Sequence, residues 1–293
     1  MYSTILATMI PVLVAIALGW IWVRAGRVLD ATSLARVVSD IGTPCLVMST
    51  LLKTHAPFES FLTMGGAVLI AIGLFTVSGM VLIRALGLKQ AGWLPSLMFP
   101  STGNLGLPLA LYAFGPEGMS YAIVFFTICA LGNYTVGNAV AAGAANWRAV
   151  ARLPLLYATI IGLIGNALQV EPPLWLANTL SLIGGLTTPL MLLMLGGALA
   201  RMEVRRFGLM AGLSLFRMAS GLVVGFGLAW VFGFEGLARS AFIMQAAMPA
   251  AVYSYLLAQL WGNEPEQVAA LVMVSTLMSL ALLPVLLLFL LPA

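Results

Sequence analysis

The sequence predicts an all-α polytopic membrane protein that crosses the bilayer ten times. Of its 293 residues, 62% are hydrophobic and 8% are charged, whereas a soluble domain carries roughly 25% charged residues. The apolar residues form long runs, and a helix needs about 20 of them to span the hydrocarbon. Helices satisfy their backbone hydrogen bonds within one segment, and the alternation typical of a membrane β-barrel does not occur. We therefore expect a bundle of helices embedded in lipid.

Short polar joints divide the apolar runs into ten predicted spans. These are 4–23, 36–52, 62–86, 92–114, 117–143, 152–170, 174–200, 206–232, 238–261 and 266–291. No joint is long enough to hold a soluble domain. Residues 4–23 lack the basic start and the small-residue cleavage site of a signal peptide. They are therefore predicted to remain as the first span.

The net charge of +4 comes from the joints and not from a surface for nucleic acid. Joints 1–2, 3–4, 5–6 and 7–8 hold ten of the thirteen basic residues, namely Arg24, Arg27, Arg36, Arg84, Lys89, Arg148, Arg152, Arg201, Arg205 and Arg206. Joints of the opposite parity hold only Lys53 and Arg239. Cytoplasmic joints are the basic ones, so both termini are predicted on the non-cytoplasmic side. The predicted partner of the protein is therefore the lipid bilayer, and no nucleic-acid partner is expected.

Short motifs repeat between the two halves of the chain. "IGTPCLVMSTLL" (41–52) is similar to "LTTPLMLLMLGGAL" (186–199), and Pro116 and Pro100 have counterparts in Pro265 and Pro249. Because each half holds an odd number of spans, the second half enters the membrane in the opposite sense. The pattern predicts two inverted five-helix repeats, residues 1–145 and 146–293, which is an arrangement typical of secondary transporters.

Two spans contain helix breakers at their centres. Span 4 carries Pro100, Gly103, Gly106 and Pro108, and span 9 carries Pro249 within "QAAMPAA" (245–251). Irregular backbone at membrane depth occurs only where it is buried in protein or lines a cavity. We therefore expect helices 4 and 9 to be broken, to cross near the midplane, and to border a substrate site.

These motifs resemble the auxin efflux carrier family, within the larger group that includes the bile-acid sodium symporters. The resemblance rests on residues 245–284, which are similar to the family's ninth and tenth helices, on "GLPL" (106–109) and on "TPCL" (43–46). A bacterial member is indicated, located in the inner (plasma) membrane. Many members carry Asn where this chain has Ser101, while here Asn104 follows three residues later.

The resemblance implies an elevator-type carrier of small organic anions, such as carboxylates or auxin-like acids. Helices 1, 2, 6 and 7 would form a scaffold that also makes a homodimer contact. Helices 3–5 and 8–10 would form a mobile transport domain. The proline pair at the helix crossing would be Pro100 and Pro249.

Polar residues at membrane depth are the candidates for substrate binding, since burying them is costly unless they have partners. A broken helix also exposes backbone amides with positive partial charge, which suit a carboxylate. The substrate-binding candidates are Pro100, Ser101, Thr102, Asn104, Gln245, Pro249, Tyr253 and Arg217. The structural alternative is that these side chains only satisfy freed carbonyls, join helices or fill the core.

Coupling to an ion is a separate hypothesis. Asp40 is the only acid clearly within a span, and it either pairs with Arg217 or titrates with protons. Asn104 and Thr127 are the candidates for sodium coupling, since hydroxyl and carbonyl oxygens suit a hard cation. No metal-ligand cluster and no cofactor motif occurs, and Cys45 and Cys129 are read as small core residues.

An enzyme is disfavoured by the residue types present. The chain has one histidine, His55, no second intramembrane aspartate and no GxSxG serine motif. The alternatives to an organic anion carrier are a sodium-coupled symporter of the bile-acid type and an anion channel.

Overall fold

The computed structural model is an all-α membrane protein. It describes residues 2–53, 58–143, 153–201 and 207–291. His55, Arg148, Arg152, Arg205 and Arg206 lie outside the described residues. Within the described residues every regular element is helical, and the one extended pairing is an isolated bridge between Pro100 and Ala250.

The helices follow one another in short steps along the chain. They are α1 (Tyr2–Arg24), α2 (Ala31–Val37), α3 (Thr43–Lys53), α4 (Phe58–Ala85), α5 (Gln90–Met98), α6 (Leu107–Gly132), α7 (Asn138–Ala142), α8 (Pro154–Ala167), α9 (Leu174–Gly185), α10 (Thr187–Arg201), α11 (Phe207–Val231), α12 (Gly236–Ala246), α13 (Val252–Trp261) and α14 (Pro265–Leu290). Three π-helical turns join neighbouring helices, at Val38–Gly42, Thr102–Gly106 and Asn133–Gly137.

Five apolar helical stretches are long enough to cross a membrane by length and composition. They are Glu59–Ala85, Thr102–Ala142, Leu174–Ala200, Phe207–Val231 and Pro265–Leu290, and the shorter apolar helices are Ile10–Arg24 and Pro154–Ala167. Ten crossings stay a prediction.

Two bends fall directly before a proline. Gly115 has φ 69°, which interrupts α6 immediately before Pro116, and Glu264 has φ 50° immediately before Pro265. Glycine adopts a positive φ at little cost, and proline fits the first turn of a helix because that turn needs no backbone donor. Both positions therefore end one helical segment and begin the next.

Glycines allow several helices to approach closely. A Cβ added to Gly19 of α1 would collide with the Leu193 carbonyl of α10, and one added to Gly196 would collide with the Ile16 carbonyl. These two helices form the most extensive helix contact in the described chain. Small residues at such contacts let helix backbones pack closely in membranes.

The other large contacts place two groups of helices side by side. α3 packs against α8 and α9, while α12 packs against α6 and α11, and α11 packs against α14. The helix interruptions at 99–101 and 247–251 lie within the second group and are buried.

Candidate functional site

Two interrupted helices meet through their backbones. The amide of Ser101 donates to the carbonyl of Pro249 at 2.7 Å, and the amide of Ala251 donates to the carbonyl of Phe99 at 3.2 Å. Pro100 and Ala250 lie opposite each other in this antiparallel bridge. Proline has no amide to donate, so the two hydrogen bonds fall on either side of Pro100. We call residues 99–101 and 249–251 the paired breaks.

A new helical segment starts after each break, and the first amides of a helix have no backbone partner within it. The π-helical turn begins at Thr102, and its last amide, Gly106, donates to the Ser101 carbonyl at 3.1 Å. In the described part of the chain the amides of Gly103 and Asn104 donate to no backbone carbonyl. Such a helix start carries positive partial charge and suits an anion. α13 starts beside it at Val252, so two helix N-termini lie at the paired breaks.

Three polar side chains lie on the first of these helix starts. Ser101 and Thr102 are buried and Asn104 is half-buried. No hydrogen bond joins any of the three side chains to another group among the residues that the structure describes. They lie beside the first break, and their part in substrate binding stays a prediction.

Gln245 lies in the last turn of α12 and is fully buried. Neither its Oε1 nor its Nε2 has a hydrogen-bond partner among the described residues. The amide group lies against Gly106, where an added Cβ would collide with Oε1. Gly106 is therefore the residue that makes room for Gln245, a role that sequence reasoning missed because it counted Gly106 only as a helix breaker.

Ser275 of α14 supports the second break and was not among the candidates. Its hydroxyl accepts the amide of Ala250 at 3.2 Å and donates to the Val272 carbonyl at 3.0 Å. The adjacent Ser275 and Thr276 in a largely apolar helix were the signal in the sequence. Pro249 itself is buried within the break.

Tyr253 follows the second break and pairs with an aromatic neighbour. Its ring centroid lies 4.8 Å from that of Tyr134, edge to face. Tyr134 belongs to the π-helical turn Asn133–Gly137, and both rings are half-buried. The side chain of Tyr253 is therefore placed within one helical turn of the paired breaks.

Asp40 lies on another interruption, the π-helical turn Val38–Gly42, and is exposed. Gly42, in the same turn, faces the Thr187 hydroxyl, 2.6 Å from the position of an added Cβ. Thr187 begins α10, which also contacts the π-helical turn Thr102–Gly106. α10 thus contacts both the π-helical turn that carries Asp40 and the π-helical turn that follows the first break.

Arg217 contacts the carbonyl end of α12 and the ring of Phe75. It is fully buried in α11, its Nη2 donates to the Ala246 carbonyl at 3.1 Å, and its guanidinium carbon lies 4.3 Å from the centroid of the Phe75 ring. It makes no ion pair with Asp40 or with any other acid in the described ranges. Arg217 therefore donates to the carbonyl end of α12. The predicted roles of Arg217 and Asp40 in anion binding and proton coupling stay predictions.

Thr127 is buried in α6 and is not joined to the paired breaks. Its hydroxyl lies 3.4 Å from that of Thr159 in α8, which in turn donates to the Leu155 carbonyl. Among the described residues no group of three His, Cys, Asp or Glu side chains is close enough to hold a metal ion.

Comparison with known proteins covers nearly the whole chain. A family model described as "membrane transport protein" matches residues 4–146 and 139–287. An uncharacterised transporter of Methanothermobacter thermautotrophicus is 30% identical over 295 residues, which is 94% of this chain and 95% of that protein. An uncharacterised transporter of Methanocaldococcus jannaschii is 29% identical over 206 residues, 66% of each chain.

Proposed function

Because this chain belongs to the auxin efflux carrier family of membrane transport proteins, we propose that it is a secondary transporter of small organic anions. The substrates would be carboxylates or auxin-like acids. The observation that carries the proposal is the pair of hydrogen bonds joining Ser101 to Pro249 and Ala251 to Phe99. They bring two helix N-termini together inside an apolar chain, where positive partial charge favours a carboxylate.

The two halves of the chain, 1–145 and 146–293, would be inverted five-helix repeats with ten membrane crossings. The symmetry of the paired breaks supports this proposal, since each contributes one donor and one acceptor to the other. The bends at Gly115 and Glu264 support it further, because each precedes a proline that begins a helix. An inverted pair of repeats lets a single site open to either side by related movements.

An elevator movement would carry the substrate. Helices 1, 2, 6 and 7 of the ten predicted spans would form the scaffold, and this is supported by the packing of α1 on α10 and of α3 on α8 and α9. Spans 3–5 and 8–10 would form the transport domain around the paired breaks. We further propose that the protein forms a homodimer through the scaffold helices. It would lie in a bacterial inner membrane, with both termini on the non-cytoplasmic side.

The substrate would lie against the helix start at Thr102. Ser101, Thr102 and Asn104 would donate to its oxygens, Gln245 would either donate or accept, and Pro100 and Pro249 would keep the breaks open. Tyr253 would provide an apolar wall. Arg217 would act indirectly, by holding the Ala246 carbonyl and with it the end of α12.

Coupling would involve Asp40, since a carboxylate exposed within a membrane span is stable only where it faces water or a partner. The exposure of Asp40 is the observation that favours protons. Sodium coupling through Asn104 and Thr127 is the alternative, as in a bile-acid-type symporter. An anion channel is the second alternative.

A counterflow experiment tests the proposal. Liposomes containing the purified protein are loaded with unlabelled malate, malonate or indole-3-acetate, and uptake of the labelled compound is measured. We expect one internal substrate to accelerate uptake of its own label, because an alternating-access carrier that returns loaded exchanges unlabelled for labelled substrate. Linear uptake without acceleration indicates a channel. Dependence on a sodium gradient that Thr127→Ala removes indicates the symporter, whereas loss of pH dependence in Asp40→Asn supports proton coupling.

A further inference from the structure

The guanidinium of Arg217 is a buried charge whose hydrogen-bonding capacity is largely unused. Arginine carries five N–H donors, and one of the three nitrogens, Nη2, donates to the Ala246 carbonyl. Nε and Nη1 have no partner among the described residues. A buried charge without a counter-charge is strongly unfavourable, so this arrangement calls for an additional acceptor.

A second unused donor lies on the same face of α11. Ser214 precedes Arg217 by three residues, which places the two side chains as neighbours on a helix surface. Ser214 is also fully buried, and its hydroxyl has no partner in the described chain. On another side Phe75 lies 4.3 Å from the guanidinium carbon and covers it with the face of its ring. The unused groups are therefore N–H and O–H donors around a positive charge.

We propose that Arg217 and Ser214 bind a small inorganic anion of the chloride class inside the helix bundle. Such an anion accepts several hydrogen bonds at once and cancels the charge of the guanidinium, which a water molecule does not do. It would fix the side chain that holds the carbonyl end of α12. The anion is a resident component of the fold, and this inference does not depend on the proposed transport function.

The site and the paired breaks contact different residues of α12. Gln245 points to Gly106, at the start of α6, whereas the next residue, Ala246, contacts α11 through its Cβ near Gly225 and its carbonyl near Gly221. Successive residues of an α-helix point about 100° apart. The donors of Arg217 thus lie on the face of α12 that contacts α11. The unpaired amides after Ser101 lie on the face that contacts Gly106.

The experiment measures binding of chloride to the purified protein in lipid nanodiscs. Sodium gluconate is replaced stepwise by sodium chloride at constant sodium concentration, and the midpoint of thermal unfolding is recorded together with binding of radioactive chloride. We expect saturable stabilisation and about one chloride per chain. Ser214→Ala should weaken the chloride affinity about tenfold, since a hydrogen bond to a charged group is lost. Arg217→Gln should abolish binding.

Ser220→Ala is the matched control, because the Ser220 hydroxyl donates to the Arg217 backbone carbonyl at 3.0 Å and leaves the guanidinium untouched. It should bind chloride as the wild type does. If Arg217→Gln does not fold, the comparison of Ser214→Ala with Ser220→Ala decides the question. The proposal is overturned if no saturable chloride effect occurs, or if Ser214→Ala leaves the affinity unchanged. It is also overturned if Ser101→Ala removes the binding, since the anion then lies at the paired breaks.

Discussion

Ser101 and Pro249, which come from opposite halves of the chain, are joined by a backbone hydrogen bond of 2.7 Å. The bond pairs the Ser101 amide with the Pro249 carbonyl, which the helix interruptions would otherwise leave without a partner in apolar surroundings. Unpaired backbone groups are costly there, so each break depends on the other. The two interrupted helices therefore form one structural unit, and changes that disturb one break should disturb both.

Ser275→Ala should weaken that unit. The substitution removes the only side-chain acceptor that the structure gives the Ala250 amide, and leaving a buried donor unpaired costs about 1–3 kcal/mol. We expect a lower midpoint of thermal unfolding and a reduced transport rate. Ser279→Ala is the control, because its hydroxyl only donates to the Thr276 carbonyl of its own helix. Equal effects of the two substitutions would show that Ser275 does not support the break.

Gly106→Ala should disturb the placement of Gln245. The new Cβ would collide with the Gln245 amide oxygen, so either the side chain or the start of α6 must move. We expect transport to fall at least tenfold, measured as initial uptake into liposomes. Gly73→Ala is the matched control, since nothing lies within 4 Å of its added Cβ. Normal transport in Gly106→Ala would contradict the close packing of these two residues.

Gly196→Ala should separate α1 from α10. Its Cβ would meet the backbone carbonyl of Ile16, which cannot rotate away, and overpacking of this kind costs about 1–3 kcal/mol. We expect lower thermal stability and a reduced yield of folded protein in detergent. Gly185→Ala, in α9, meets nothing within 4 Å and should behave as the wild type. A stable Gly196→Ala protein would show that the two helices are not in backbone contact.

Glu264→Ala should destabilise the joint before α14. The Glu264 carboxylate accepts the indole N–H of buried Trp93 at 2.9 Å, and a hydrogen bond to a charged group contributes about 1.5–3 kcal/mol. Glu264→Gln keeps an acceptor oxygen and should retain most of the stability. Thermal unfolding followed by tryptophan fluorescence distinguishes the two variants. Identical midpoints would exclude this hydrogen bond as a stabilising contact.

The fold class and both helix interruptions are predictable from the sequence because they depend on local composition. Proline and glycine weaken a helix wherever they occur, and the runs around Pro100 and Pro249 are otherwise apolar. The expectation that the two interruptions meet came from the repeated spacing. The family resemblance is confirmed by the match over residues 4–146 and 139–287.

Specific side-chain partners were not predictable, because they depend on how each helix is rotated about its axis. Thr127 and Thr276 lie 149 residues apart in the sequence, which is also the separation of Pro100 and Pro249. In the structure one lies beside Thr159 of another helix, while the other donates to the carbonyl of Val272 in its own helix. The backbone carbonyl that accepts the hydrogen bond from Arg217 cannot be recognised from the sequence. The roles of the substrate-binding and coupling candidates stay predictions.

The most direct test of the paired breaks as a substrate site is the current of purified protein in liposomes on a solid-supported membrane. A panel of carboxylates is applied as concentration jumps, with and without sodium and pH gradients. We expect a saturable current for one organic anion, strongly reduced in Pro249→Ala, which restores a backbone donor at the break, and in Arg217→Gln. Currents carried by a cation instead, or an anion current that neither substitution changes, would contradict the assignment.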